Sequence, residues 1–109
     1  MAFDEGVAQR VRELLASRQD VGEKRMFGGL AFMVRGNMCC GVVGEELMVR
    51  VGPDAYDGAL GKPHARPMDF TGRPMKGFVF VDPRGYNDDE SLTDWVGRGL
   101  AYVTSLPPK

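Results

Sequence analysis

The sequence predicts one two-layer α+β domain, an antiparallel sheet covered on one side by helices, in the order α, three strands, α, one or two strands, α. Three observations carry this. Apolar residues recur at helical spacing near both chain ends. Between Lys24 and Val51 they alternate along the chain, interrupted by glycine-containing turns. The chain has 109 residues and 43% apolar content, which suits a single domain with its own core.

Phe3 to Arg18 reads as the first helix. Phe3, Val7, Val11, Leu14 and Leu15 fall on one stripe, with Asp4 and Glu5 in the first turn and arginines later, as the helix dipole favours. Gln19 to Glu23 reads as a polar connection broken at Gly22. Arg25 to Phe27 is a short strand or the lead-in to one. Gly28-Gly29 follows, where the backbone can take positive φ or approach another chain closely. Leu30, Phe32 and Val34 then share a face, and Gly36-Asn37 is a two-residue hairpin signal. Met38, Cys40 and Val42 are expected on one face of the next strand, with Cys39 and Val43 on the other. After a turn at Gly44-Glu45-Glu46, Leu47, Val49 and Val51 point toward the helices, and Met48 and Arg50 point away. The face away from the helices is thus mixed, with Met33 and Met48 beside Arg35 and Arg50.

Gly52-Pro53-Asp54 opens a short second helix with Tyr56 and Leu60 as its i, i+4 pair, closed by Gly61 and Pro63. His64 to Arg73 reads as a partly ordered loop with a short strand near Met68. Pro74 to Val81 is a strand with Phe78 and Phe80 on one side and Val79 and Val81 on the other. The last helix starts near Asp88 to Glu90, with Ser91 and Asp94 as a capping box. It buries Leu92, Trp95, Val96, Gly99, Leu100 and Val103. Leu106 to Lys109 is a frayed tail.

Fourteen Lys and Arg against fifteen Asp and Glu argue against unaided phosphate-driven nucleic-acid binding. Met1 to Gly6 carries acids and no signal-peptide core, and no run reaches the roughly 20 apolar residues of a membrane helix. The expectation is a soluble, cytoplasmic chain with no membrane partner. The adjacent cysteines, Cys39 and Cys40, read as free, buried thiols, since neighbours on a strand point to opposite faces. That geometry and a single histidine leave no set of ligands for a metal, and no motif calls for a cofactor.

His64, Arg66, Asp69 and Arg73 lie close in sequence among prolines and a glycine. They either tie the loop to the sheet through an Arg66–Asp69 or Arg73–Asp69 ion pair or hold an anion. Arg25 and Arg50, with Lys24 and Arg35, can gather at one edge of the sheet, either as a solvated basic face or as the best nucleic-acid footprint in the chain. His64 lacks a marked nucleophile or second proton carrier, so no catalytic constellation is read.

Several motifs together resemble the N-terminal domain of the TfoX/Sxy family of bacterial competence regulators. They are Arg25-Met26-Phe27-Gly28-Gly29, Gly36-Asn37-Met38, Leu47-Met48-Val49-Arg50-Val51, Arg73-Pro74-Met75-Lys76-Gly77-Phe78-Val79 and the Leu92 to Ala101 helix with Trp95. The resemblance covers residues 3–106. It implies a secretion-chaperone-like fold and a regulatory rather than enzymatic role. Family members pair this domain with a C-terminal helical domain and assist a cyclic-AMP receptor protein at competence promoters. This chain is expected to be a stand-alone version.

The functional expectation is a non-enzymatic regulatory domain that binds a protein, either a transcription factor or a second copy of itself as a homodimer. The alternative is a small-anion or metabolite site in the loop from His64 to Arg73, with Arg66 and Arg73 holding the anionic group.

Overall fold

The computed structural model describes residues 3–26, 28–68 and 76–107. Among them run α1 (Glu5–Leu14), β1 (Val21–Met26), β2 (Gly29–Val34), β3 (Asn37–Val43), β4 (Glu46–Arg50), α2 (Tyr56–Leu60), β5 (Ala65–Pro67), β6 (Phe78–Val81), a 3-10 turn at Pro83–Gly85 and α3 (Asp89–Val103). The strands form one open antiparallel sheet in the order β1-β2-β3-β4-β6-β5. The α+β class is therefore as expected.

The element count differs from the expectation in one respect: four strands rather than three precede α2, while the two that follow it are within the expected one or two. The additional strand is β1, which begins in the stretch read as a polar connection and runs into the short strand or lead-in expected from Arg25. Val21 pairs with Val34 and packs against the core. Gly22 does not break the strand, because it lies on the sheet's open edge. The charged run Glu23-Lys24-Arg25 suits an edge strand, where charge discourages pairing with other chains. At the other edge, β5 precedes Met68. Residues 74 and 75, expected to begin β6, lie outside the described residues.

α1 and α3 each begin at an aspartate cap. The Asp4 side chain accepts from the backbone N–H of Gly6 (2.9 Å) and Val7 (3.2 Å), satisfying donors that the first turn leaves free. α1 stops at Leu14 rather than Arg18, and the following Leu15 is buried. α2 begins at Tyr56, later than the expected start at Pro53. α3 is capped by Asp88, whose carboxylate accepts from Ser91 N–H at 2.9 Å. Ser91 is therefore the recipient of the cap and not the cap itself.

The tight turn between β2 and β3 is shifted by one residue from its expected place. Arg35 (φ 55°) and Gly36 (φ 84°) occupy it, between the paired Val34 and Asn37. Positive φ at both positions marks a type I′ turn. Asn37 lies inside β3, 3% exposed, and its side-chain amide donates to the Pro107 carbonyl at 3.1 Å. The tail is thus pinned to the sheet at Pro107.

A β-bulge changes the facing of β3. Phe32 pairs with Cys40 but Met33 pairs with Met38, leaving Cys39 as the extra residue. Met38 consequently lies on the side away from the helices, while Cys39 and Cys40 both enter the helix-side core. The expected split, with Met38 beside Cys40 and the two cysteines on opposite faces, fails because strict alternation does not survive an inserted residue.

Phe32, Val34, Val42, Leu47, Val49, Val79 and Val81 are among the sheet residues of the main core, covered by Val7 and Val11 of α1 and Leu92, Trp95 and Val96 of α3. A second, smaller cluster of Ala31, Met48, Met68 and Phe80 lies on the other face. Met48 is 1% exposed and Met68 fully buried. The face away from the helices was expected to be free, but its centre is covered.

Candidate functional site

The glycines of the Met-Phe-Gly-Gly motif fix the start of the meander. Gly28 takes φ 74°, and a Cβ on Gly29 would lie 2.2 Å from the Val42 carbonyl oxygen. A side chain there would force β2 and β3 apart. Phe27 lies outside the described residues.

On the helix-free face, one row of residues crosses the sheet in register: Lys24, Ala31, Gly41, Met48, Phe80 and Arg66. Gly41 leaves room for Met48, whose terminal methyl would be 2.8 Å from a Cβ placed there. Arg66 closes the row, its guanidinium 4.8 Å from the Phe80 ring centroid and paired with the Glu46 carboxylate. Around this buried centre Met33, Met38, Val43 and Phe78 are half-buried. They form an apolar rim, with the Met33–Met38 pair directly across β2 and β3.

The expected basic edge does not assemble. Arg50 is drawn to the C-terminal end of α3, between the rings of Phe78 (5.6 Å) and Tyr102 (5.3 Å). Arg35 reaches the same end of α3 and donates to the Thr104 carbonyl at 3.2 Å. Cations there suit the negative end of the helix dipole. Arg25 stands at the opposite end of the sheet, 5.7 Å over the Phe3 ring. These arginines brace helices and aromatic rings at separate places.

His64 and Arg66 are not brought together either. His64 sits in the turn between α2 and β5 with φ 68°, a left-handed conformation uncommon for a residue with a side chain. Its carbonyl accepts from Asp82 N–H at 2.9 Å. It lines a cavity of about 440 Å³ with Lys62, Arg84, Glu90 and Asp94. Arg66 faces the other side of the sheet. Asp69 and Arg73 lie outside the described residues, as does the ion pair expected of Asp69.

The cavity wall is set by Asp82. Its carboxylate accepts from both the backbone N–H and the guanidinium Nε of Arg84, each at 3.0 Å. Those bonds hold the Asp82 carboxyl below its usual range, backbone first and side chain second. The opposite wall is α3, where Glu90 and Asp94 are one turn apart. Asp94 binds Arg98 at 3.0 Å and approaches Lys62 at 4.0 Å. The sequence reading missed Lys62, Arg84, Glu90 and Asp94. They come from three segments, and no local spacing marks them.

Nor did it anticipate Tyr86. Its hydroxyl donates to the Glu45 carbonyl, tying the loop after β6 to the β3–β4 turn. Burial and neighbouring carboxylates push its pKa up to about 12. Cys40 is likewise pushed well above the ordinary thiol range, by its hydrogen bond with Cys39 and then by burial. A thiol so placed is a poor nucleophile. Among the described residues no group of three or more His, Cys, Asp or Glu side chains converges to hold a metal ion, and no helix is long and apolar enough to cross a membrane.

This architecture defines a class: an α+β domain on one open sheet, helices on one side and a methionine- and phenylalanine-rich cluster on the other. The chain belongs to the TfoX N-terminal domain family, whose model matches residues 13–102, from within α1 to within α3. No curated protein and no solved structure matched the chain.

Proposed function

We propose that this domain is a regulatory protein-interaction module that docks a protein partner on the helix-free face of its sheet. The observation that carries this is the rim of Met33, Met38, Val43 and Phe78, half-buried around a closed centre. Methionine side chains adapt to differently shaped partners, and apolar side chains left partly open lose water on docking. Family membership supports the regulatory reading. By the same resemblance the partner class is a transcription regulator, and the process is competence control.

Co-purification of the tagged chain from cells tests this. The unaltered chain should recover a stoichiometric protein, and Met33→Glu with Met38→Glu should lose it while the thermal melt persists. Equal recovery by the folded double variant removes the rim as the docking surface.

A further inference from the structure

We propose that the cavity between the His64 turn and α3 is a binding site for a free α-amino acid. It is independent of the docking face and lies on the other side of the sheet.

The cavity is divided by charge. Lys62, two residues past α2, and Arg84, in the 3-10 turn with its Nε bonded to Asp82, supply two cations. Glu90 and Asp94 of α3 supply two carboxylates. A simple anion is attracted by one wall and repelled by the other, and a simple cation meets the same cancellation. A molecule carrying both charges is favoured at both walls.

The spacing indicates where such a molecule sits. Lys62 Nζ and Asp94 Oδ2 stand 4.0 Å apart, too far for a direct hydrogen bond. Asp94 Oδ2 also accepts from Arg98 Nε at 3.0 Å and keeps that bond. A carboxylate presented to Lys62 and an ammonium presented to the Asp94 carboxylate replace only the long contact, with two short charge-assisted bonds. An α-amino acid carries the two groups on one carbon. Ser91 and His64 add polar lining and Pro63 provides apolar surface for the side chain, while Trp95, 2% exposed, meets the cavity only at its edge. About 440 Å³ exceeds what a single water fills.

The site is also built to hold its shape. Asp82 fixes both flanks, its N–H bonding the His64 carbonyl and its carboxylate bonding Arg84. Gly85 packs so closely that a Cβ there would be 2.7 Å from Val81 Cγ1 and 3.0 Å from His64 Cβ. The left-handed backbone at His64 is thereby locked against the 3-10 turn.

Trp95 is the chain's single tryptophan, so its fluorescence reports on the cavity, with calorimetry as the second readout. The titrants are L-leucine, L-glutamate and glycine, then N-acetyl-leucine, leucinamide and acetate. The expected result is saturable binding of at least one free amino acid and none of the blocked forms or acetate. Lys62→Gln and Asp94→Asn, both at exposed side chains, should each weaken that binding about tenfold or more with the thermal melt retained. The proposal is overturned by no heat and no fluorescence change with any free amino acid. It is equally overturned if a blocked form or acetate binds as well, or if both folded variants bind as the unaltered chain does.

Discussion

Gly99 of α3 packs directly on the bulged Cys39: a Cβ at Gly99 would stand 2.8 Å from the Cys39 carbonyl oxygen and 3.0 Å from its sulfur. The helix and the strand meet without a side chain between them. Gly99→Ala should therefore destabilise the domain, although alanine is the better helix former by about 1 kcal/mol. Overpacking costs about 1–3 kcal/mol; because the closest contact is a backbone carbonyl, the cost lies at the upper end, and the net loss should be about 2 kcal/mol in chemical denaturation. Unchanged or increased stability would show that α3 can lift from β3 freely.

The same bulge makes a chemical prediction. Cys39 and Cys40 are both fully buried, and the Cys40 thiol resists ionisation. Thiol titration of the native protein at mildly alkaline pH should find neither cysteine reactive, and denaturant should release both. Rapid native labelling of either one would place it outside the core.

Tyr86 ties stability to alkaline pH. Its folded pKa of about 12 lies above the ordinary 10, so the folded state holds the hydroxyl proton more tightly than the unfolded chain. Its contribution is complete below pH 10 and is lost as pH rises from about 10 to 12. A difference of that size corresponds to about 2–3 kcal/mol across the window. Tyr86→Phe should cost about 1 kcal/mol near neutrality through the lost bond to Glu45 and flatten the alkaline decline, measured as denaturation midpoint against pH. An identical decline in the variant would assign it to other groups.

The centre and rim of the helix-free face should respond differently to truncation. Met48 is 1% exposed, so Met48→Ala should cost about 2–4 kcal/mol. Met33 is half-buried, and Met33→Ala should cost under about 1 kcal/mol. Equal costs by urea unfolding would show that the closed centre and open rim are not distinct.

Much of this architecture was legible in the residues. The facing of Phe32, Val49, Val79 and Val81 follows from alternation, and the buried stripe of α3 from helical spacing. The bulge was not legible, because an inserted residue leaves Met-Cys-Cys-Gly looking like any alternating run. The early start of β1, at Val21, was hidden because an edge strand tolerates glycine and charge. The turn at Arg35-Gly36 was misplaced because its first left-handed residue is an arginine. Of the candidate site residues, each of the arginines at 25, 50 and 66 finds an aromatic ring or a carboxylate that pairing in sequence does not reveal. The His64 cavity exists only because α2, the 3-10 turn and α3 converge, a relation between distant segments.

The most direct test of the docking account is site-specific photo-crosslinking in cells. A photoreactive residue is placed at Met38 on the rim, or at the exposed Thr93 of α3 as the helix-side comparison. The account predicts a discrete protein adduct from position 38 and none from position 93. Adducts from position 93 alone would place recognition on the helices and contradict it.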